Sequence, residues 1–325
     1  MVPTQYSSPR VAIVVTGGTI DSVGKDRLDL AWYIETGRRL GPGELLGRVP
    51  ELASIADVHE VPFRRLPSHG LVDRDWLDLL RLVESDSSDG IVITHGTNTL
   101  EETAFFLDLT LSGDRPVVVT GAMRPASGLS SDGDLNLLNA VRVAASPEAR
   151  GKGCLVVMND TIFCARDVTK TNTFRVHTFQ GTDVGPLGFA DADGRVVFSH
   201  SPARAVRPPF AVAGLDALPR VDVVVSYVGA DGVMIDAAVA AGAQGLVSAG
   251  TGAGRPTPAE EAALLRARDQ GVAVVQASRV GSGRVAPRHF IPAGNLQPWK
   301  ARVLLALALT QTDDEAAIQQ IFNSY

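Results

Sequence analysis

The chain has 325 residues, more than one hydrophobic core usually organises, which predicts two domains. It is 45% hydrophobic and 20% charged, an ordinary composition for a folded globular protein, and no apolar run reaches the length of about 18 residues that a membrane span needs. Its formal net charge of −6 argues against nucleic acid as the main partner, because phosphate binding needs a basic face. We therefore expect a small polar substrate, no nucleic acid and no membrane association.

Short β-branched runs alternate with helical patterns through the first half of the chain. The predicted strands are Val11–Val15, Asp57–Phe63, Gly90–Thr94, Pro116–Thr120 and Cys154–Met158. The predicted helices, where apolar residues recur every three to four positions, are Asp73–Val83, Leu100–Leu111 and Asp134–Ala145. This alternation implies βαβ units and a parallel sheet that is covered on both faces.

The pattern changes after residue 182. Turn-forming residues at 183–198 predict a small hairpin, and a proline-rich stretch at 199–219 is typical of a linker. A second α/β unit follows, with strands at Val221–Tyr227, Gly245–Ser248 and Val272–Gln276 and helices at Ala237–Ala241, Pro258–Asp269, Pro298–Thr310 and Asp314–Phe322. The predicted domains are an N-terminal α/β domain at 1–198 and a smaller C-terminal α/β domain at 220–325.

Two hydroxyl-rich turns follow predicted strands. Thr19 closes the run Thr-Gly-Gly-Thr after the first strand, and Thr97 lies where the strand ending at Thr94 meets the helix beginning at Leu100. Ligands in open α/β sheets collect outside the carboxyl ends of the strands, so these turns indicate an enzyme that attacks with a hydroxyl. Lys170 lies in a third segment rich in hydroxyls and amides, and a partly desolvated lysine can act as a base.

Other enzyme classes lack their motifs in this chain. The glycine spacings of dinucleotide and P-loop sites are absent, as are the H-E-x-x-H helix of zinc hydrolases and the G-x-S-x-G elbow of α/β-hydrolases. Cys154 and Cys164 are too few for a disulfide framework, and Cys154 is predicted to be a buried thiol. Met1–Arg10 has no apolar core of signal-peptide length, so we expect a cytoplasmic protein.

Taken in order, these motifs resemble the bacterial-type L-asparaginase family, amidohydrolases with a threonine nucleophile. The resemblance covers essentially the whole chain and rests on residues 16–20, 95–99 with 101–103, 121–125, 131–133, 158–161, 166–173, 247–250 and 301–305. It implies a large N-terminal α/β domain and a smaller C-terminal one, a small amide substrate and no metal or organic cofactor. It also implies a homotetramer, a dimer of dimers in which the C-terminal domain completes the partner's site.

By motif position the resemblance implies catalytic roles for four residues. Thr19 is similar to the nucleophile and Tyr33 resembles the loop tyrosine that helps to activate it, although the spacing to the next motif differs from the family pattern. Thr97 and Lys170 match a second hydroxyl and its basic partner. The expected substrate-binding residues, led by a serine for the α-carboxylate and a backbone carbonyl for the leaving amide, are Gly18, Ser68, His69, Gly96, Asn98 and Ala122.

The sequence departs from the family pattern at the end of the site that binds the substrate's α-ammonium group. Asn98 replaces an aspartate, and His69 stands where a glutamine is usual. Residues 281–289 lack the glutamate that reaches the partner's site, while Arg255 and Arg288 add positive charge and are candidate cross-subunit residues. The substrate L-asparagine should bind about tenfold to a hundredfold less well than it would with aspartate at position 98. A carboxylate binds an ammonium group more strongly than a neutral amide does.

Several functions remain open at this stage. The chain is predicted to hydrolyse the side-chain amide of L-asparagine or a close analogue to the acid and ammonia. One alternative substrate is an amide that lacks a free α-amine, being N-acylated or cyclic. Two further alternatives are a low-activity variant in which asparagine was introduced at position 98 to trap substrate, and a binding protein without catalysis.

Overall fold

The computed structural model describes residues 8–202 and 209–325. Its internal contacts divide the chain into two compact units, residues 1–203 and residues 204–325. Residues 203–208 of the linker predicted at 199–219 lie outside the described residues. In the part of that segment that is described, Phe210 and Val212 are buried, and the Phe210 ring stacks on Tyr325 with centroids 6.3 Å apart. The described part of the linker that contains Phe210 and Val212 therefore packs within the second unit, and the exact domain boundaries stay predictions.

The first unit is built on a large mixed sheet. Its strands are β1 (Arg10–Val15), β2 (Asp57–Pro62), β3 (Gly90–Thr94), β4 (Val117–Thr120), β5 (Cys154–Met158), β6 (Thr161–Cys164), β7 (Val168–Lys170), β8 (Phe179–Gly181), β9 (Gly188–Ala190) and β10 (Val196–Phe198). The order across the sheet is β10-β9-β6-β5-β4-β3-β1-β2, and β7 pairs with β8 separately. The five strands from β5 to β2 are parallel, whereas β6, β9 and β10 pair antiparallel.

Helices cover both faces of this sheet. They are α1 (Glu44–Gly47), α2 (Asp73–Ser85), α3 (Leu100–Thr110) and α4 (Gly133–Ala145), with short 3-10 helices between them. Alternate residues Val11, Ile13 and Val15 of β1 pack with α4 in one core cluster, and the residues between them are also buried. Successive strand side chains point to opposite faces, so burial of every residue in β3 means that neither face of the central sheet meets solvent.

The second unit is a smaller α/β structure. Its strands are β11 (Val221–Val225), β12 (Gly245–Gly250), β13 (Ala273–Ser278) and β14 (Ile291–Pro292), which are parallel and adjacent in chain order. Its helices are α5 (Val233–Ala240), α6 (Pro258–Asp269), α7 (Pro298–Ala308) and α8 (Glu315–Asn323). Thr257 begins α6 with a capping box, accepting from the Glu260 amide at 3.1 Å while the Glu260 carboxylate accepts from the Thr257 amide at 2.8 Å.

The predicted fold class is confirmed: a large N-terminal domain with a mostly parallel sheet precedes a smaller C-terminal domain with a parallel sheet. The predicted start of α5 was wrong, because Ala237 is preceded by a full turn of helix from Val233. Neither cysteine is disulfide-bonded, and both are buried. Among the residues described, no helix is long and apolar enough to cross a membrane.

Candidate active site

Two hydroxyl-bearing turns leave the same edge of the large sheet. β1 and β3 are adjacent parallel strands in which Val15 pairs with Thr94, so the residues that follow them emerge side by side. The hydroxyl and the amide of Thr16 both donate to the Thr94 carbonyl, at 2.8 and 3.2 Å, and fasten the first turn to the end of β3. This junction places the segment that carries Thr19 beside the segment that carries Thr97.

Glycines allow the two turns to touch through their backbones. A Cβ on Gly18 would lie 2.5 Å from the Gly96 Cα, and Gly18 has a φ of +106°, which side chains rarely adopt. A Cβ on Gly96 would lie 2.6 Å from the Ser68 hydroxyl. The close approach of the turns therefore requires glycine at both positions and brings Ser68 against them.

Thr19 is paired with Tyr33. Each residue begins a short 3-10 helix, Thr19–Asp21 and Tyr33–Thr36, and their hydroxyl oxygens lie 2.7 Å apart in a buried contact. Burial raises the pKa of Tyr33; the Thr19 hydrogen bond opposes this shift, and the charges of Asp132 and Asp29 add to it. Tyr33 is therefore a protonated phenol at neutral pH, which orients the Thr19 hydroxyl and can exchange a proton with it.

Lys170 is paired with the second hydroxyl. It ends β7, and its Nζ donates to the Thr97 hydroxyl at 2.9 Å and to the Asn98 side-chain carbonyl at 3.3 Å. Burial lowers the pKa of Lys170, and the charge of the buried Glu101 in the first turn of α3 opposes that shift. The amine is thus more readily deprotonated than a surface lysine, which suits it to act as a base toward Thr97.

Both hydroxyl pairs open onto one pocket of about 200 Å³. Within the described ranges 8–202 and 209–325, its charged lining residues are Arg38, Arg39 and Lys170, and no Asp or Glu lines it. Arg39 Nη1 donates to Asp21 at 3.0 Å, and the Asp21 side chain is fully buried behind it. Burial raises the pKa of Asp21, an effect that Arg39 and Arg65 oppose. The wall of the pocket is accordingly cationic.

The comparisons with known proteins agree with this geometry. The family model "Asparaginase, N-terminal" matches residues 10–204, and the model "Glutaminase/Asparaginase C-terminal domain" matches residues 220–322. The chain belongs to the asparaginase/glutaminase family. The L-asparaginase 2 of Escherichia coli (strain K12) is 44% identical over 98% of this chain and 93% of its own length. The glutaminase-asparaginase of Pseudomonas fluorescens biotype A is 37% identical over 100% of this chain and 92% of its own.

A solved structure of the family has the same fold. The crystal structure of a probable cytoplasmic L-asparaginase from Campylobacter jejuni superposes with a TM-score of 0.93 and 39% identity, covering 98% of this chain and 100% of that one.

The structure brings together all but one of the predicted catalytic and substrate-binding residues of this asparaginase. Those that line the pocket are Thr19, Tyr33, Thr97, Lys170, Gly18, Ser68, His69, Gly96 and Asn98. Ala122 is fully buried instead, and the next residue, Met123, lines the pocket. The roles assigned to these residues, including the Ala122 carbonyl contact, remain predictions.

The two candidate cross-subunit arginines belong to the second unit. Arg255 lies in a turn, where its amide donates to the Thr251 carbonyl at 2.8 Å and its own carbonyl accepts from the Thr251 amide at 2.8 Å. The Arg288 guanidinium lies 3.9 Å from the Glu261 carboxylate, in a half-exposed ion pair. A role for either residue in a partner's site stays a prediction.

Sequence reasoning missed the residues that shape the walls of the pocket. Arg39 and its anchor Asp21 lie in a segment without a recognised motif, although a carboxylate directly after the apolar Ile20 should have suggested a buried ion pair. Asp132 belongs to a recognised motif, but its function was not predicted. Its carboxylate accepts from the backbone amides of Met123 and Arg124, each with one contact at 2.9 Å, and so fixes the turn beside the pocket. In the part of the chain that is described, no cluster of His, Cys, Asp and Glu could hold a metal ion.

Proposed function

We propose that this chain hydrolyses the side-chain amide of L-asparagine, or of a close analogue, to the acid and ammonia. The observation that carries the proposal is the opening of two activated hydroxyls, Thr19 beside Tyr33 and Thr97 beside Lys170, onto one pocket. Membership of a family whose relatives are named L-asparaginase and glutaminase-asparaginase supports it.

In the proposed reaction Thr19 is the nucleophile. Its hydroxyl oxygen attacks the amide carbon, the carbon–nitrogen bond breaks, and the hydroxyl proton leaves with the nitrogen as ammonia. Water then attacks the resulting ester, restores the Thr19 hydroxyl and releases the acid. A hydroxyl is a poor nucleophile without a partner that takes its proton. Tyr33 at 2.7 Å is placed to relay that proton, accepting it from Thr19 while its own phenol proton passes to the leaving nitrogen.

Thr97 and Lys170 supply the base in this scheme. Because burial lowers the pKa of Lys170, a larger fraction of its amine is neutral and able to draw a proton from Thr97 at 2.9 Å. The backbone amides at the start of α3, directly after Thr97, are candidate donors for the oxyanion that forms during attack. Thr97 thereby takes part in the proton path, and the backbone that follows it would position the reacting carbonyl.

Replacement of the nucleophile tests the proposal. Ammonia release from L-asparagine should fall by at least about a thousandfold in Thr19→Ala, because the acyl-enzyme cannot form. Thr310→Ala is a matched control, since Thr310 lies in the turn after α7 in the second unit and its hydroxyl donates to the Leu307 carbonyl at 2.6 Å. Mass spectrometry of the quenched wild-type enzyme should show an acyl group on Thr19. Ammonia release by Thr19→Ala at the wild-type rate would refute the assignment and favour a binding protein or another nucleophile.

A second candidate substrate is an amide without a free α-ammonium group, either N-acylated or cyclic. The absence of any carboxylate among the lining residues of the described pocket favours it, because an ammonium would face only cations and neutral groups. Ammonia release from L-asparagine, N-acetyl-L-asparagine and a cyclic amide, measured side by side, separates the two candidates. A wide margin for L-asparagine would remove the second.

The assembly and location of the chain are also proposals. We propose a homotetramer, a dimer of dimers in which the C-terminal domain completes the partner's site; the family assignment supports it, and light scattering coupled to gel filtration tests it. We propose a cytoplasmic location, which the description of the Campylobacter jejuni relative as cytoplasmic supports. Fractionation of the source cells with an antibody to this chain tests the location.

A further inference from the structure

The Arg39 guanidinium is fixed in place beside the nucleophile's turn. Its Nη1 lies 2.7 Å from where a Cβ on Gly17 would be, so it rests directly on the backbone two residues before Thr19. Arg39 Nη1 lies 3.0 Å from Asp21 Oδ1 in an ion pair. The Arg39 side chain is 28% exposed, whereas that of Asp21 is 0% exposed. A guanidinium has five N–H donors and no acceptor, so an arginine anchored through one nitrogen keeps donors for a ligand.

The geometry points to Arg39 as a residue that binds the carboxylate of the substrate. We propose that this pocket prefers an anionic amide, which carries a carboxylate and no ammonium group, over the zwitterion L-asparagine. The inference rests on the proposed amide hydrolysis and names the substrate class for that reaction.

The orientation of Asn98 supports the same charge preference. Lys170 Nζ donates to the side-chain oxygen of Asn98 at 3.3 Å. The exposed Asn98 amide lines the pocket, and with its oxygen bound to Lys170 its NH2 group is the end left for a ligand. An NH2 group donates to an acceptor such as a carboxylate or a carbonyl, whereas a ligand ammonium would have to share the Asn98 oxygen with the Lys170 amine.

The remaining charges in the wall add to this preference. Arg38 and Lys170 join Arg39, and within the described residues no carboxylate lines the pocket to balance them. Asp21 is fully buried behind Arg39, so it holds that guanidinium in place and does not itself line the pocket. A ligand ammonium would therefore meet donors and positive charge, while a ligand carboxylate would meet a planar fork of N–H donors.

Three amide substrates of the same chain length separate the effect of substrate charge from that of size. L-asparagine is a zwitterion, succinamate is the same molecule without its ammonium group, and butanamide carries no charge. We expect wild-type kcat/KM for succinamate to exceed that for L-asparagine by about tenfold or more. In Arg39→Gln the KM for succinamate should rise about 10- to 100-fold with little change in kcat, because a charge-assisted contact present in both ground and transition states is lost. Hydrolysis of butanamide should change by less than about threefold in the same variant.

Arg65→Gln is the matched control for a purely structural role. Arg65 also approaches Asp21, at 4.0 Å, but it pairs with Glu60 at 2.9 Å and is not among the residues that line the pocket. If Arg39 only neutralised Asp21, the two variants would behave alike, and equal effects on succinamate would overturn the inference. Preference of the wild type for L-asparagine over succinamate would overturn it as well.

Two further measurements keep the inference testable. If Arg39→Gln unfolds at a lower temperature, the double variant Asp21→Asn, Arg39→Gln removes the buried charge together with its partner and is assayed instead. Calorimetric titration with succinate and with L-aspartate, the two acid products, does not depend on turnover. Tighter binding of succinate that is lost in Arg39→Gln supports the inference even in a chain that releases no ammonia, a result that would refute the proposed hydrolysis alone. Equal binding of both acids, unchanged in the variant, would overturn the inference.

Discussion

Asn98→Asp converts the neutral amide beside Lys170 into a carboxylate and should change the substrate that the pocket prefers. A hydrogen bond to a charged group contributes about 1.5–3 kcal/mol, against about 1 kcal/mol for a neutral pair. The expected gain for an ammonium-bearing substrate is therefore about 0.5–2 kcal/mol, or about a 2- to 30-fold fall in the KM for L-asparagine. Succinamate should respond in the opposite direction, because its carboxylate would meet a new negative charge.

The same change acts on the base. The Asn98 side-chain oxygen lies 3.3 Å from Lys170 Nζ, so a carboxylate there stabilises the protonated amine. The pKa of Lys170 should rise, and the pH at which kcat reaches half its maximum should move upward. Steady-state kinetics on both amides from pH 6 to pH 10 measure KM and kcat separately. An unchanged KM for L-asparagine, or parallel changes in KM for both amides, would refute the reasoning that the residue at position 98 discriminates between substrates by their charge.

Three other variants test the remaining groups. Tyr33→Phe leaves the Thr19 hydroxyl without its 2.7 Å partner and should lower kcat about 100- to 10,000-fold with little change in KM; a kcat within threefold of wild type would contradict the proton path. We expect kcat/KM of the wild type to rise with pH as the Lys170 amine, whose pKa burial lowers, loses its proton, and Lys170→Met should abolish this rise; a rise that persists in the variant would show that another group causes it. Burial lowers the pKa of His95 from 6.5 to about 4, so the unfolded chain binds the proton first as the pH falls. The stability that neutral His95 contributes is complete above about pH 6.5 and is lost toward pH 4, a change of about 3 kcal/mol. Urea unfolding at pH 7 and pH 4.5 measures this loss, which should be smaller in His95→Gln; equal losses in the two proteins would show that other groups dominate.

The order of strands and helices was readable from the sequence because hydrophobic periodicity is strong where both faces of a sheet are buried. The limits of β3, β5 and α6 agree with the predicted ones, and most others differ by one or two residues. The antiparallel strands β6, β9 and β10 were harder to predict, because strands of three or four residues are too short for an apolar period. Only the β9–β10 hairpin was foreseen, and its turn-forming residues were the signal.

Within the site, the catalytic turns were predictable and the walls were not. The segments of Thr19 and Thr97 follow buried strands, and that signal is local. Arg39 reaches the pocket only because a loop returns its side chain to Asp21, 18 positions earlier in the chain. Such a pairing depends on tertiary structure, so no short sequence motif predicts it. The orientation of Asn98 was equally hidden, since Lys170 is 72 positions away and selects which end of the amide faces the ligand.

The contact between Gly18 and Gly96 has a consequence for how this enzyme can be altered. With only 2.5 Å between a hypothetical methyl group on one glycine and the backbone of the other, a side chain at Gly18 would force the two loops apart. The backbone contact between the two loops therefore fixes the distance between Thr19 and the Thr97–Lys170 pair. A substitution in one loop alone cannot adjust that distance. Changes in substrate range are therefore expected to come from the surrounding side chains, while the spacing of the reacting groups stays constant.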